Sequence, residues 1–126
     1  MRNLEHDEQV AVVEYLYRFY PDVLFWSSAN GAMMGGGRLG AIRMNILKKS
    51  GLLPGVSDLE IFEPRGGYSA MFLEMKTEDG GNGASENQLW LLREIEKRGG
   101  YGFVANGFVE ARPVLDDYLN GRIKRF

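Results

Sequence analysis

The sequence contains no cysteine and a single histidine, His6. The first absence removes disulfides, thiolate-held zinc and thiol nucleophiles together. The second excludes chemistry that needs two imidazoles from one chain. Catalysis here would have to run on carboxylates, lysine, arginine, hydroxyls or a hard metal ion. No apolar run approaches the ~20 residues that cross a bilayer, so no membrane role is expected. The opening "MRNLEHDEQ" lacks the apolar centre of a signal peptide, and the expected location is the cytoplasm. Neither sign of charge dominates: 15 basic residues stand against 17 acidic ones, a net charge of −2. A nucleic-acid binder usually carries a basic footprint. A carboxylate metal site, however, adds negative charge that a bound cation offsets. Basic residues also cluster locally, at Arg38, Arg43, Lys48 and Lys49 and again at Arg122, Lys124 and Arg125.

What is present reads as one domain, residues 1–126, long enough for its own core. "HDEQVAVVEYLYRFY" has the spacing of an amphipathic helix that stops before Pro21. "DVLFWSS" predicts a short strand. The Gly-rich "ANGAMMGGGRLG" predicts a loop, followed by a helix over "RLGAIRMNILKKSG" with Leu39, Ile42, Ile46 and Leu47 at helical spacing and Gly51 as its stop. "SDLEIFE" and "YSAMFLEMK" predict two strands joined by the turn "PRGG". After the loop "TEDGGNGA", Ser85 and Gln88 form a capping-box pattern that opens a helix running to "KRGG". "YGFVAN" predicts a last strand and "ARPVLDDYL" a last helix, with Pro113 in its first turn. The order α-β-α-β-β-α-β-α describes an α/β domain with a mixed central sheet flanked by helices.

Glu74 and Lys76, in "FLEMK", project from one side of an extended chain, with Met75 opposite. The run Met71–Leu73 is apolar at consecutive positions, as in a strand covered on both faces. Charges there are costly to desolvate unless paired or bound to a metal. In a hairpin the start of the first strand lies beside the end of the second, which brings Asp58 to the same end of the sheet as Glu74. Two carboxylates and a backbone carbonyl, with Met75 C=O the nearest, suit Mg2+ or Mn2+ and leave positions for phosphate and water. Lys76 can then orient or deprotonate the attacking water, or stabilise developing negative charge. The chemistry indicated is hydrolysis of a phosphodiester.

"GVSDLEIF" followed by "FLEMK" resembles the D…ExK signature of the PD-(D/E)XK nuclease superfamily. The wider set, "HDEQ", "ANG", "GVSDL", "GGYSAMFLEMK", "SENQ" and "FVEARPVLDDYL", resembles its VRR-NUC branch, in particular the stand-alone phage and bacterial type. These segments span nearly the whole chain in the family's order. The resemblance implies a restriction-endonuclease-like fold and metal-dependent endonuclease action on DNA, with Asp58, Glu74 and Lys76 as the catalytic core. It implies a first-helix acid that reaches the metal directly or through water, placed at Glu8, and a catalytic glutamine, placed at Gln88. It also implies structure-selective cleavage, as in resolution of four-way (Holliday) junctions. Because one domain of this size offers one active site, cutting a symmetric junction calls for a homodimer. Two departures stand out: Ser57 occupies a position where the family commonly has proline, and Pro113 interrupts a segment that similar sequences run as unbroken helix.

Each assignment has a structural alternative. Glu8 is either a metal-site acid or a first-turn acid favoured by the helix dipole, with Glu14 as the fallback. Gln88 either completes the cap with Ser85 or holds water or DNA near Lys76. Asn30 and Gly31 form a turn or shape the DNA-facing rim. Arg38 and Arg43 are solvated helix charges or contacts to DNA phosphates. His6 is expected to be exposed ahead of the first helix, and Trp26 and Trp90 to be core. Two rival functions stand beside this reading. "GGGRLG" contains G-x-G-x-x-G at Gly35, Gly37 and Gly40, but Ser28 to Met34 separate it from the strand, against a nucleotide cofactor site. A nuclease-like DNA-binding or assembly module without catalysis has no physical need for so costly a set as Asp58, Glu74 and Lys76.

Overall fold

The computed structural model describes residues 4–28 and 37–126. These form helix α1 (Leu4–Phe19), strand β1 (Phe25–Ser27), helix α2 (Gly37–Lys49), strands β2 (Leu59–Ile61) and β3 (Met71–Lys76), helix α3 (Glu86–Lys97), strand β4 (Tyr101–Asn106) and helix α4 (Phe108–Leu119). The four strands make one sheet in the order β1-β2-β3-β4. The first two pairings are antiparallel and β3 pairs with β4 in parallel. A parallel pair needs a crossover, and α3 supplies it.

Alternation along the strands sorts the side chains onto two faces. Leu59, Ile61, Met71, Leu73, Met75 and Ala105 share one face and are fully buried. Val12 and Leu16 of α1, and Ala111, Leu115 and Tyr118 of α4, close over that face with no exposure. Each large aliphatic side chain so covered contributes ~1.5–3 kcal/mol. The two covering helices are tied together at Asp116, whose Oδ1 accepts from Tyr15 Oη at 2.5 Å and Tyr20 Oη at 2.7 Å. Burial, with those bonds, pushes the Tyr15 hydroxyl up to about 12. On the opposite face α3 lies close to β4: a Cβ on Gly102 would stand 2.8 Å from Leu92 Cδ2.

The β2–β3 connection turns at Gly66 and Gly67, with φ of 59° and 93°. Arg65 and Tyr68 exchange backbone hydrogen bonds across them at 3.1 and 2.9 Å. Consecutive positive φ values define the tight hairpin turn whose twist matches its strands, and glycine adopts them without steric cost.

Several local expectations need correction. β1 and β2 are three residues each, shorter than their apolar patterns: among the described residues β1 is an edge strand paired only with β2, and toward β3 the Asp58 side chain takes the Met75 N–H. The last helix starts at Phe108, so Pro113 lies inside it rather than in its first turn. The missing N–H forfeits one bond, to the carbonyl of Val109 four residues back. The buried stripe Ala111, Leu115, Tyr118 and Leu119 carries the helix on regardless. His6 is exposed as expected, but within α1 rather than ahead of it. Trp26 and Trp90 are not core: they are 43% and 48% exposed. Trp26 points from the edge strand to the face away from α1 and α4. Leu39, Ile42 and Ile46 do share helical spacing on α2, yet they are exposed.

Candidate active site

β3 ends in Glu74-Met75-Lys76. Met75 enters the core, so Glu74 and Lys76 stand on the opposite face. Leu59 pairs with Leu73, and one further step in that register sets Asp58 beside Glu74. Asp58 Oδ2 accepts the Met75 N–H at 2.7 Å, continuing the ladder with a side chain where the β2 backbone has left it. In a strand, a residue's N–H and C=O project toward the same neighbour. Met75 C=O therefore lies on the Asp58 side of β3.

Both carboxylates are buried, Asp58 at 7% exposure and Glu74 at 3%. Glu74 Oε1 accepts from Gln88 Nε2 at 2.5 Å and lies 3.7 Å from Lys76 Nζ. Glu74 Oε2 is buried and accepts no hydrogen bond. Burial first, and the charge of Asp58 second, push the Glu74 carboxyl up to about 8 against the opposing pull of Lys76. Two buried carboxylates side by side require a positive species between them, and either a proton or a metal ion serves.

Among the described residues no three carboxylate or imidazole side chains converge as a metal-ligand group. A divalent ion here would rest on Asp58 and Glu74, with Met75 C=O as a further protein oxygen. All-oxygen, two-carboxylate coordination that leaves room for water and phosphate is the habit of Mg2+. The orphaned Glu74 Oε2 and its elevated pKa fit such an ion.

Other expected site residues lie elsewhere. Glu8 does not join the pair: its Oε2 accepts the Phe108 N–H at 3.1 Å, capping α4, whose N-cap Gly107 has no side chain to do so. Glu5, one turn earlier on α1, is the acid that meets the lysine, with Oε1 3.8 Å from Lys76 Nζ. Sequence reasoning missed it. The available signal was the i, i+3 spacing of Glu5 and Glu8, which sets both on the α1 face toward β3. Glu14 lies beside an open groove between α1 and α4, with Arg18 and Arg112. Gln88 completes the cap with Ser85, as one of its two readings has it, and its Nε2 also donates to Glu74 Oε1, a contact neither reading gave. Arg38 and Arg43 are exposed on α2. Asn30, Gly31 and Gly35 lie outside the described residues. Ser57 is 2% exposed and its Oγ has no hydrogen-bond partner.

The described residues form an α/β domain: a mixed four-stranded sheet covered by helices on both faces, with two carboxylates and a lysine at one rim. A solved structure described as a VRR_NUC domain protein has this fold: it matches with a TM-score of 0.77 over 96% of this chain and 92% of that one, at 21% identity. No family model matches the sequence, and no curated protein does. No described helix is long and apolar enough to cross a membrane.

Proposed function

We propose that this chain is a nuclease of the VRR-NUC family that hydrolyses phosphodiester bonds in DNA with the help of Mg2+ or Mn2+. One observation carries the reading: Asp58, Glu74 and Lys76 meet at one rim of the sheet, and Glu74 Oε2 is buried without a hydrogen-bond partner. Asp58, Glu74 and the Met75 carbonyl would hold the ion, which when bound acts as a Lewis acid toward the scissile phosphate.

The protein's own groups do the remaining work. Lys76 is 12% exposed at its side chain and held between Glu74 and Glu5. In this reading Nζ orients the nucleophilic water for in-line attack. Glu74 and Asp58, fixed by Gln88 and by the Met75 N–H, keep their positions as charge develops, so little reorganisation accompanies the reaction. The products would be a 5′-phosphate and a 3′-hydroxyl.

The finer reading is a structure-selective endonuclease of branched DNA, working as a homodimer in the cytoplasm. The exposed apolar residues on α1 (Tyr17, Phe19) and α2 (Leu39, Ile42, Ile46) support an interaction surface. Exposed Arg38 and Arg43 are suited to phosphate contacts.

The test is cleavage of labelled duplex, single strand, flap, splayed arm and four-way junction with Mg2+ or Mn2+. Cutting of branched substrates in preference to linear duplex is expected, with activity lost in Lys76→Ala. A K76A variant that cuts as fast as the parent overturns the mechanism. Absence of any cutting leaves a DNA-binding module in its place. Sedimentation showing only monomer, with and without junction DNA, overturns the dimer.

A further inference from the structure

We propose that Ser85 and Gln88 form a positioning pair that decides which oxygen of Glu74 remains free. The inference rests on the nuclease reading only for its catalytic consequence. Three hydrogen bonds carry it. Ser85 Oγ accepts the Gln88 N–H at 3.1 Å, Ser85 N–H donates to Gln88 Oε1 at 2.8 Å, and Gln88 Nε2 donates to Glu74 Oε1 at 2.5 Å.

A primary amide has one oxygen end and one nitrogen end. With Oε1 taken by the Ser85 N–H, only the NH2 end can face Glu74. The reversed amide would lose that bond and set oxygen against carboxylate oxygen. The capping box thus orients the donor, and the donor occupies Glu74 Oε1. Oε2 is left as the unpartnered oxygen on a carboxylate that feels the charge of Asp58. In a capping box on an exposed helix the amide nitrogen would meet only water. Here β3 places a buried carboxylate in its path.

The same helical turn also bears on the loop that leads to Asp58. A Cβ on Gly55 would stand 2.7 Å from the Asn87 carbonyl carbon and oxygen and 2.9 Å from the Gln88 nitrogen. The chain three residues before Asp58 therefore rests directly on the first turn of α3. Asp58 lies just before β2 and Glu74 on β3, yet both are referenced to one helix start. Gln88 acts through Glu74, and Ser85 acts through Gln88.

The test separates the Ser85 N–H from the Ser85 hydroxyl. Ser85 has φ −69°, a value proline accepts, so Ser85→Pro removes both groups while Ser85→Ala removes only the hydroxyl. Gln88→Glu keeps a capping box, because glutamate at that position serves it equally, but replaces the donor to Glu74 with an acceptor. The first readout is the Gln88 side-chain NH2 in 1H–15N spectra of the full chain without metal or DNA. The parent should show a downfield, slowly exchanging pair that becomes ordinary in S85P and in Glu74→Ala. The second is Mn2+ affinity by titration, and the third is kcat and KM on a branched substrate. Q88E and S85P should lose ~10–100-fold in kcat with KM changed less than twofold, the size seen when groups supporting metal ligands are removed. S85P should exceed S85A in this loss by at least threefold.

An ordinary, fast-exchanging Gln88 amide in the parent overturns the proposal, whatever the cleavage assay shows. So does a Q88E protein with parental kcat, or S85A and S85P losing equally. A parent that shows the protected amide but cuts no DNA leaves the pair standing and removes the nuclease reading instead. If S85P does not fold, Q88E and the parent amide decide the matter.

Discussion

Replacing Glu74 by glutamine gives the sharpest stability test of the site. In the folded protein, burial and Asp58 hold the Glu74 carboxyl at about 8, against an ordinary 4.5. Between those values the folded chain keeps a proton that the unfolded chain has released. Stability therefore falls as pH rises from about 4.5 to about 8 and levels off above. Each pH unit in that window costs ~1.4 kcal/mol, so the full penalty approaches ~5 kcal/mol when Glu74 is ionised and no metal is present. Glu74→Gln mimics the protonated acid and keeps an acceptor for Gln88 Nε2. In EDTA the variant should match the parent near pH 4.5 and exceed it by ~2–4 kcal/mol at pH 8, measured by urea unfolding. The lower figure allows for relaxation of the ionised site. Added Mg2+ or Mn2+ should stabilise the parent, increasingly as pH rises toward 8, and leave the variant unmoved. Parallel stability curves for the two proteins between pH 5 and 8.5 would refute the argument that two carboxylates are forced together there.

Three further outcomes follow from the same geometry. Lys76→Ala should lower kcat by at least ~10²-fold, the scale of removing a positioned proton-transfer or water-orienting group, with binding of junction DNA retained in a gel-shift assay. Gly107→Ala should destabilise by ~1–3 kcal/mol in urea, because residue 107 has φ 81° and the new Cβ would stand 2.6 Å from Glu8 Oε2 and 2.7 Å from Glu78 Cγ. The Glu8 carboxylate would have to leave the Phe108 N–H, so hydrogen exchange at Phe108 should accelerate. Tyr118→Phe removes the donor that reaches the Glu63 carbonyl at 2.7 Å and should cost ~1–2 kcal/mol, seen as a lower melting temperature without loss of fold.

The order of elements, the mixed sheet and the meeting of Asp58 with Glu74 were legible in the chain, because each rests on local rules. Period-two alternation put Glu74 and Lys76 on one face. The Gly-Gly turn closed the hairpin whose register aligned Asp58. The Ser85–Gln88 spacing announced the start of α3. What local rules could not decide depended on distant partners. Glu5 and Glu8 look alike as acids near the start of α1, and only the packing of α1 against β3 and α4 sends one to Lys76 and the other to the Phe108 N–H. Trp26 and Trp90 are hydrophobic by composition, but the elements that would have buried them lie elsewhere. The early start of α4 depended on a buried stripe and a cap from another helix, which outweigh the bond lost at Pro113. The upward shift of Glu74 is likewise a tertiary fact: a carboxyl acquires its proton affinity from burial and from neighbouring charge, and both exist only once the sheet and α3 have closed around it.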